Sequence, residues 1–112
     1  MELVEYLTSD GRSPFAEWYG DLNPAAAAKV TVALVRMGQG NVSNAKGVGS
    51  GVHEFRIDFG PGYRVYFGKD GDRLVILLAG GTKKRQQRDI EAAKARWQDY
   101  KRRKKQDQLW PD

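Results

Sequence analysis

The stretch Gly51-Val52-His53-Glu54-Phe55-Arg56-Ile57-Asp58-Phe59-Gly60-Pro61-Gly62-Tyr63-Arg64-Val65-Tyr66-Phe67 decides the fold. Side chains alternate with period two on both sides of a Gly-Pro-Gly turn, the pattern of an antiparallel hairpin. Loop parity then sets the register. His53, Phe55 and Ile57 share a face with Tyr63, Val65 and Phe67 only if an odd number of residues connects the strands, such as Phe59 to Pro61; an even loop places Ile57 opposite Arg64. Beyond Phe67, Lys69-Asp70-Gly71-Asp72 predicts a two-residue type I′ turn at Asp70-Gly71, pairing Phe67 with Leu74 and Val65 with Ile76. The opposite face of this three-stranded meander then displays Glu54, Arg56, Arg64, Tyr66, Val75 and Leu77. Arg56 falls directly across from Arg64, a like-charge pair that is unfavourable unless an anion joins it.

Upstream, Glu2 to Leu7 reads as a first strand that stops at the turn cluster Ser9-Asp10-Gly11. Ser13-Pro14 and Asn23-Pro24 each supply an N-cap followed by proline at the first helical position. Phe15, Trp18, Tyr19 and Leu22 recur at helical spacing after the first, and Ala27, Val30, Leu34 and Met37 after the second, which runs to Gly38. Gly38 to Gly51, rich in Gly, Asn and Ser, reads as a surface loop. Downstream, Ala79-Gly80-Gly81-Thr82 ends the last strand, and Lys84 to Lys105 resumes helical spacing through Ile90, Ala93, Trp97 and Tyr100. The expected order is β-α-α-β-β-β-α, an α+β domain with an antiparallel sheet, two N-terminal helices on its apolar face and a basic C-terminal helix. Leu109-Trp110 is either a small anchor or a frayed end of the tail.

Composition bounds the chemistry. A chain of 112 residues, 40% hydrophobic and 29% charged, builds one modest core. No run of 18 apolar residues occurs, and MELVEYLTSD has neither a basic nor an apolar signal region, so a cytoplasmic protein without a membrane partner is expected. The absence of cysteine removes disulfides, thiolate zinc sites and thiol nucleophiles, and one histidine builds no metal cluster or paired acid and base. The net charge of +5 is uneven: Lys83 to Lys105 holds eleven basic side chains against three acidic ones, a net +8, and the rest of the chain is net −3. A polyanion is expected to meet the C-terminal third.

Several motifs carry less than they suggest. Gly47-Val48-Gly49-Ser50-Gly51 lacks the strand-before and helix-after context of a phosphate loop. Asp58-Phe59-Gly60 matches a kinase metal motif by chance in a chain too short for the other kinase parts. His53 lies on the apolar strand face and reads as a satisfied core histidine, and Phe15, Trp18 and Trp97 read as core rather than as a partner groove. Arg56 and Arg64 remain, together with Glu54, Tyr66 and the Gly80-Gly81-Thr82-Lys83-Lys84-Arg85 segment that leads into a helix. They form a polar basin lined with cations, suited to phosphate.

At these residues the chain resembles a known family. Gly51 through Phe67, followed by Leu77-Leu78-Ala79-Gly80-Gly81-Thr82-Lys83 and by Gln86, Asp89-Ile90 and Ala93, is similar to the phage Gp49-like, HigB-type branch of the RelE/ParE toxin superfamily. The resemblance extends to Gly11-Arg12-Ser13-Pro14-Phe15 and Trp18. It implies one RelE-like toxin domain over residues 1–105, with 106–112 as tail, in a type II toxin-antitoxin system. It implies a HigA-like helix-turn-helix antitoxin as partner, the ribosome and mRNA as targets, and metal-independent mRNA cleavage without a cofactor.

The site residues implied are Arg64, which matches the family's scissile-phosphate arginine, with Lys83 after the last strand, Arg56 on the preceding strand, and Glu54 as a base or as an ion-pair partner. RNA contacts fall to Tyr66, Lys84, Arg85, Gln86 and Arg88, and to Lys101, Arg102, Arg103, Lys104 and Lys105. The chain departs from RelE-type enzymes in carrying Glu54 and Arg56 where they carry paired lysines, and in lacking a tyrosine at the start of the last helix, which leaves the general base open. A ParE-like gyrase inhibitor and a non-catalytic RNA-binding phage protein are the alternative readings.

Overall fold

A computed structural model describes residues 1–72 and 74–109, the last three as backbone, so Trp110 of the expected anchor lies outside the described residues. The chain runs β1 (Glu2–Glu5), α1 (Pro14–Gly20), α2 (Pro24–Gly38), β2 (Ala45–Gly49), β3 (Val52–Ile57), β4 (Tyr63–Asp70), β5 (Leu74–Thr82), a 3₁₀ turn (Lys83–Arg85) and α3 (Gln86–Leu109). Both helix starts form as their sequences dictate. The Ser13 hydroxyl accepts from the Ala16 amide at 3.0 Å and the Asn23 carbonyl oxygen from the Ala26 amide at 2.9 Å, with Pro14 and Pro24 at the first helical position. Among the described residues, no helix is long and apolar enough to cross a membrane.

The five strands form one sheet in the order β1-β5-β4-β3-β2; β1 runs parallel to β5, so the sheet is mixed and not wholly antiparallel as expected, the two helices α1 and α2 carrying the chain across from β1. The β3–β4 register is the expected one: Ile57 pairs with Tyr63, and Arg56 pairs with Arg64. Three other expectations are corrected. Residues Ala45–Gly49, read as loop, pair antiparallel with β3 as an edge strand; their backbone groups carry the pairing, and so few apolar side chains are needed there. The Ser50-Gly51 turn that follows has positive φ at both residues, which the short polar side chain and the glycine tolerate. Gly80 and Gly81 do not end the last strand but lie within it, since β5 continues to Thr82.

The third correction is a change of face. Asp70 pairs with Leu74 and Phe67 with Leu77, three residues away from the expected register, and a bulge between Tyr66 and Phe67 sets Tyr66 opposite Ala79. An odd shift exchanges faces. Val75 and Leu77 therefore join Phe15, Val30, Met37, Phe55, Val65 and Phe67 beneath α1 and α2, while Leu78 joins Tyr66, Ile90 and Trp97 beneath α3. The sheet is thus covered on both faces. A strand buried on both sides is apolar at every position, and so Leu74 to Leu78 carries no alternation from which a register can be read.

The covering helices demand small residues below them. A side-chain carbon at Gly80 would lie 2.0 Å from the Trp18 ring, and one at Gly68 would lie 2.5 Å from the Trp97 ring. Phe15 and Trp97 are buried and Trp18 is half-buried, in keeping with their reading as core. His53 stacks on Phe67 with ring centroids 5.3 Å apart, and its desolvation lowers its pKa.

Much of the basic end of α3 is tied into the fold. The Tyr6 hydroxyl donates to Asp99 at 2.7 Å, Arg103 pairs with Asp99 and donates to the Leu7 carbonyl at 2.7 Å, and Lys104 pairs with Asp70, which also accepts from the Tyr100 hydroxyl. Hydrogen bonds from Lys104 and Tyr100 hold the Asp70 carboxyl below its ordinary value, and those from Arg103 and Tyr6 do the same for Asp99.

Two measurements check this packing. Gly80→Ala forces the Trp18 ring aside and is expected to cost about 1–3 kcal/mol in a urea titration. Asp70 and Asp99 ionise more readily folded than unfolded, so the stability they contribute is full above the ordinary aspartate pKa and is lost as pH falls through their folded values. Unfolding midpoints measured between pH 6 and pH 2 are expected to fall less steeply for the Asp70→Asn/Asp99→Asn variant than for the parent chain.

Candidate phosphate-binding site

The β3–β4 hairpin and the start of the 3₁₀ turn meet at the carbonyl of Gly62. Its oxygen accepts from the Lys83 amide at 3.0 Å and from Nη1 of Arg64 at 3.2 Å. Gly62 has φ +81°, a conformation that turns the chain sharply enough to present that carbonyl. The result is a polar pocket of about 200 Å³ lined by Arg56, Asp58, Arg64 and Lys83 with the Gly60-Pro61-Gly62 loop. The structure brings together the three cations singled out by the sequence, from β3, β4 and the turn after β5.

Beneath the pocket lies a buried carboxylate. Glu54 is 0% exposed and Arg64 5%. Oε1 of Glu54 stands 3.5 Å from Nε of Arg64 and 4.0 Å from the Lys46 ammonium, and Oε2 accepts from Nε2 of Gln86 at 2.8 Å. Arg64 Nε and Glu54 Oε1 make no hydrogen bond of ordinary geometry, and neither does the Tyr66 hydroxyl opposite Glu54. Burial and the negative charge of Glu54 push the Tyr66 pKa up, so it stays a neutral phenol. Glu54 therefore orients Arg64 from below, while Arg56 and Lys83 are exposed at the mouth.

Three expected roles change accordingly. Glu54 is sealed from solvent and does not reach a 2′-hydroxyl as a base. Tyr66 is 0% exposed under α3 and offers no surface for stacking a nucleotide. Gln86 spends its amide on Glu54 rather than on a ligand. Lys84, Arg85 and Arg88 are exposed next to the pocket, as a nucleic-acid contact requires. Lys101, Arg102, Arg103, Lys104 and Lys105 are elsewhere, at the far end of α3; from Gln86 to Lys104 the helix axis covers roughly 27 Å at about 1.5 Å per residue. Arg102 and Arg103 pair with Asp99, Lys104 pairs with Asp70, and Lys101 lies over the Trp97 ring.

Two acidic residues lie in or near the site without having been singled out for it. Asp58, set aside as a chance motif, lines the pocket and is exposed. Asp89, half-buried on the first turn of α3, packs its carboxylate where a side chain at Gly81 would stand, 1.9 Å from that position. Burial raises its pKa, against the lowering effect of Arg85, Arg88 and Arg96. The Gly80-Gly81 pair thus makes room for Trp18 on one face and Asp89 on the other, which explains two glycines inside a strand.

Residues 17–98 match the family described as phage derived protein Gp49-like. The chain belongs to this family. A protein of Haemophilus influenzae, described as uncharacterized, is 44% identical over 81 residues, which cover 71% of this chain and 82% of its own length. The family match contains every residue of the pocket and the Glu54, Gln86 and Asp89 side chains around it.

Glu54→Ala leaves the Arg64 guanidinium buried without its counter-charge and is expected to destabilise the fold by about 3–5 kcal/mol. Glu54→Gln keeps the shape and an acceptor, and chemical denaturation should show a smaller loss. Equal losses for the two variants would mean that the charge pair does not hold Arg64.

Proposed function

We propose that the protein is the toxin of a type II toxin-antitoxin pair and acts as a ribosome-dependent, metal-independent mRNA endoribonuclease. The observation that carries this reading is the convergence of Arg56, Arg64 and Lys83 on one small polar pocket, with Arg64 braced from below by Glu54. Membership of the Gp49-like family and the resemblance to RelE-type toxins support it.

In this mechanism an RNA phosphate sits in the pocket and the neighbouring ribose 2′-oxygen attacks it in line. A bond forms between the 2′-oxygen and phosphorus, the bond to the 5′-oxygen breaks, and the products are a 2′,3′-cyclic phosphate and a 5′-hydroxyl. The 2′-hydroxyl proton passes to Asp58, the exposed carboxylate of the pocket, and the departing 5′-oxygen takes a proton from solvent. Arg64 and Lys83 stabilise the charge that builds on the phosphorane, and Arg56 holds a non-bridging oxygen. Donors placed in this way each lower the barrier by about 3–4 kcal/mol. Lys84, Arg85 and Arg88 hold the RNA scaffold around the site, and a HigA-like helix-turn-helix antitoxin restrains the toxin.

Induction of the chain in a bacterial host, followed by primer extension on translated mRNA, tests the reading. Discrete cuts in coding frames are expected, and Arg64→Ala or Lys83→Ala is expected to reduce them by on the order of 100-fold or more. Asp58→Asn should slow cleavage by on the order of 100-fold without loss of stability. Growth arrest that persists in both Arg64→Ala and Lys83→Ala would overturn the site assignment. Loss of gyrase supercoiling with mRNA intact would replace the activity by ParE-like inhibition.

A further inference from the structure

A second cleft opens from the rim of the phosphate pocket. It runs between α2 and strand β3, encloses about 310 Å³, and shares Arg56, Ile57 and Asp58 with the first pocket. Its floor is apolar, made by the buried Ala33 and Phe55, and its outer wall carries Val32, 49% exposed. The exposed cations Lys29 and Arg36 stand on the α2 side, one helical face apart from the core stripe. The Lys29 ammonium is held over the Phe59 ring at 5.4 Å from its centroid, which spans the gap between α2 and the hairpin loop.

We infer that this cleft is the subsite for the nucleotide next to the scissile phosphate, binding single-stranded RNA with the base against the exposed Val32 and the backbone against Lys29 and Arg36. Three features support this occupant. The cleft shares Arg56, Ile57 and Asp58 with the phosphate pocket, so the two adjoin at the end of β3, within reach of one strand whose phosphate sits at Arg64. Its lining is cationic, with Lys29, Arg36 and Arg56 against the single carboxylate of Asp58. Its volume and its apolar floor with a charged rim suit a base and its sugar-phosphate, the combination that sequence-tolerant single-strand binders use. None of the basic residues of the C-terminal segment takes part, and so the charge count along the chain gave no indication of it. The inference rests on the RNA-cleavage reading for its occupant.

Binding of a fluorescein-labelled single-stranded RNA hexamer, with a 2′-deoxy substitution at each ribose of one control oligonucleotide, tests it by anisotropy at low salt. Lys29→Ala/Arg36→Ala is expected to weaken the RNA by tenfold or more and to flatten the slope of log affinity against log salt by about 1.4, since each single-strand phosphate contact contributes about 0.7. Val32→Asp, an exposed change that leaves the core alone, should weaken RNA comparably. Unchanged affinity and salt slope in both variants would overturn the subsite; if Arg64-dependent cuts in translated mRNA persist in them at the parent rate, the cleavage reading stands and the cleft alone is rejected. If instead neither hexamer nor translated mRNA is bound or cut by the parent chain, the cleavage reading fails first. Loss of antitoxin binding in these variants, with RNA affinity unchanged, would assign the cleft to a protein and also overturn the inference.

Discussion

The Glu54 carboxylate is the constraint on which the site depends. It is held at zero exposure and touches groups from three other elements: Lys46 of β2, Arg64 and Tyr66 of β4, and Gln86 at the start of α3. Taking a carboxylate and a guanidinium out of water costs several kcal/mol per ion, and their attraction repays it only where the geometry is good. At 3.5 Å, and with one oxygen and Nε lacking an ordinary hydrogen bond, the pair is not optimised for stability. What it does achieve is position. A surface arginine samples many rotamers; Arg64, fixed by Glu54 at one end and the Gly62 carbonyl at the other, meets an incoming phosphate without first being ordered.

The cross-strand pair of Arg56 and Arg64 looks different in this light. Two guanidiniums side by side repel, and part of that repulsion is relieved from inside by Glu54, which leaves Arg56 and Lys83 as the exposed, solvated cations at the mouth. The pocket is thus asymmetric, with a buried, hydrogen-bonded arginine at the base and exposed charges above. Such an arrangement favours a ligand that carries a compact anionic centre and extends outward, which describes a phosphodiester better than a carboxylate.

Much of this was legible in the chain. The β3–β4 hairpin and the facing of Arg56 and Arg64 follow from period-two alternation and loop parity, because one hairpin face there is polar and the alternation survives. The helix starts follow from Ser13-Pro14 and Asn23-Pro24. The β5 register was not legible, since Leu74 to Leu78 is apolar on both sides, the β4–β5 turn sets the pairing three residues from the expected one, and a bulge after Tyr66 shifts it by one more. The edge strand β2 was hidden for the opposite reason: backbone pairing with β3 stabilises it, and Gly47 and Gly49 give no side-chain pattern. Of the site, Arg56, Arg64 and Lys83 were accessible because their alternation and position after β5 are local facts. The burial of Glu54 and Tyr66 depends on α3 folding back over that face, which no local pattern states.

The charge distribution follows from the same geometry. The +8 of Lys83 to Lys105 looks like one stripe along the sequence, but α3 carries its two ends far apart and gives them different work. At the near end Lys84, Arg85 and Arg88 are exposed beside the pocket; at the far end Arg102 and Arg103 pair with Asp99 of the same helix, while Arg103 donating to the Leu7 carbonyl after β1 and Lys104 pairing with Asp70 of β4 fasten the helix to the sheet. Charge that is neutralised within the fold no longer contributes its full field to a polyanion. Pairing with Asp99 and Asp70 thus weakens the field at the far end, where Lys101 and Lys105 are exposed, and a separate cationic surface lies on the hairpin, the turn after β5 and the adjoining side of α2. On that surface lies the pocket in which a buried carboxylate sets an arginine in position.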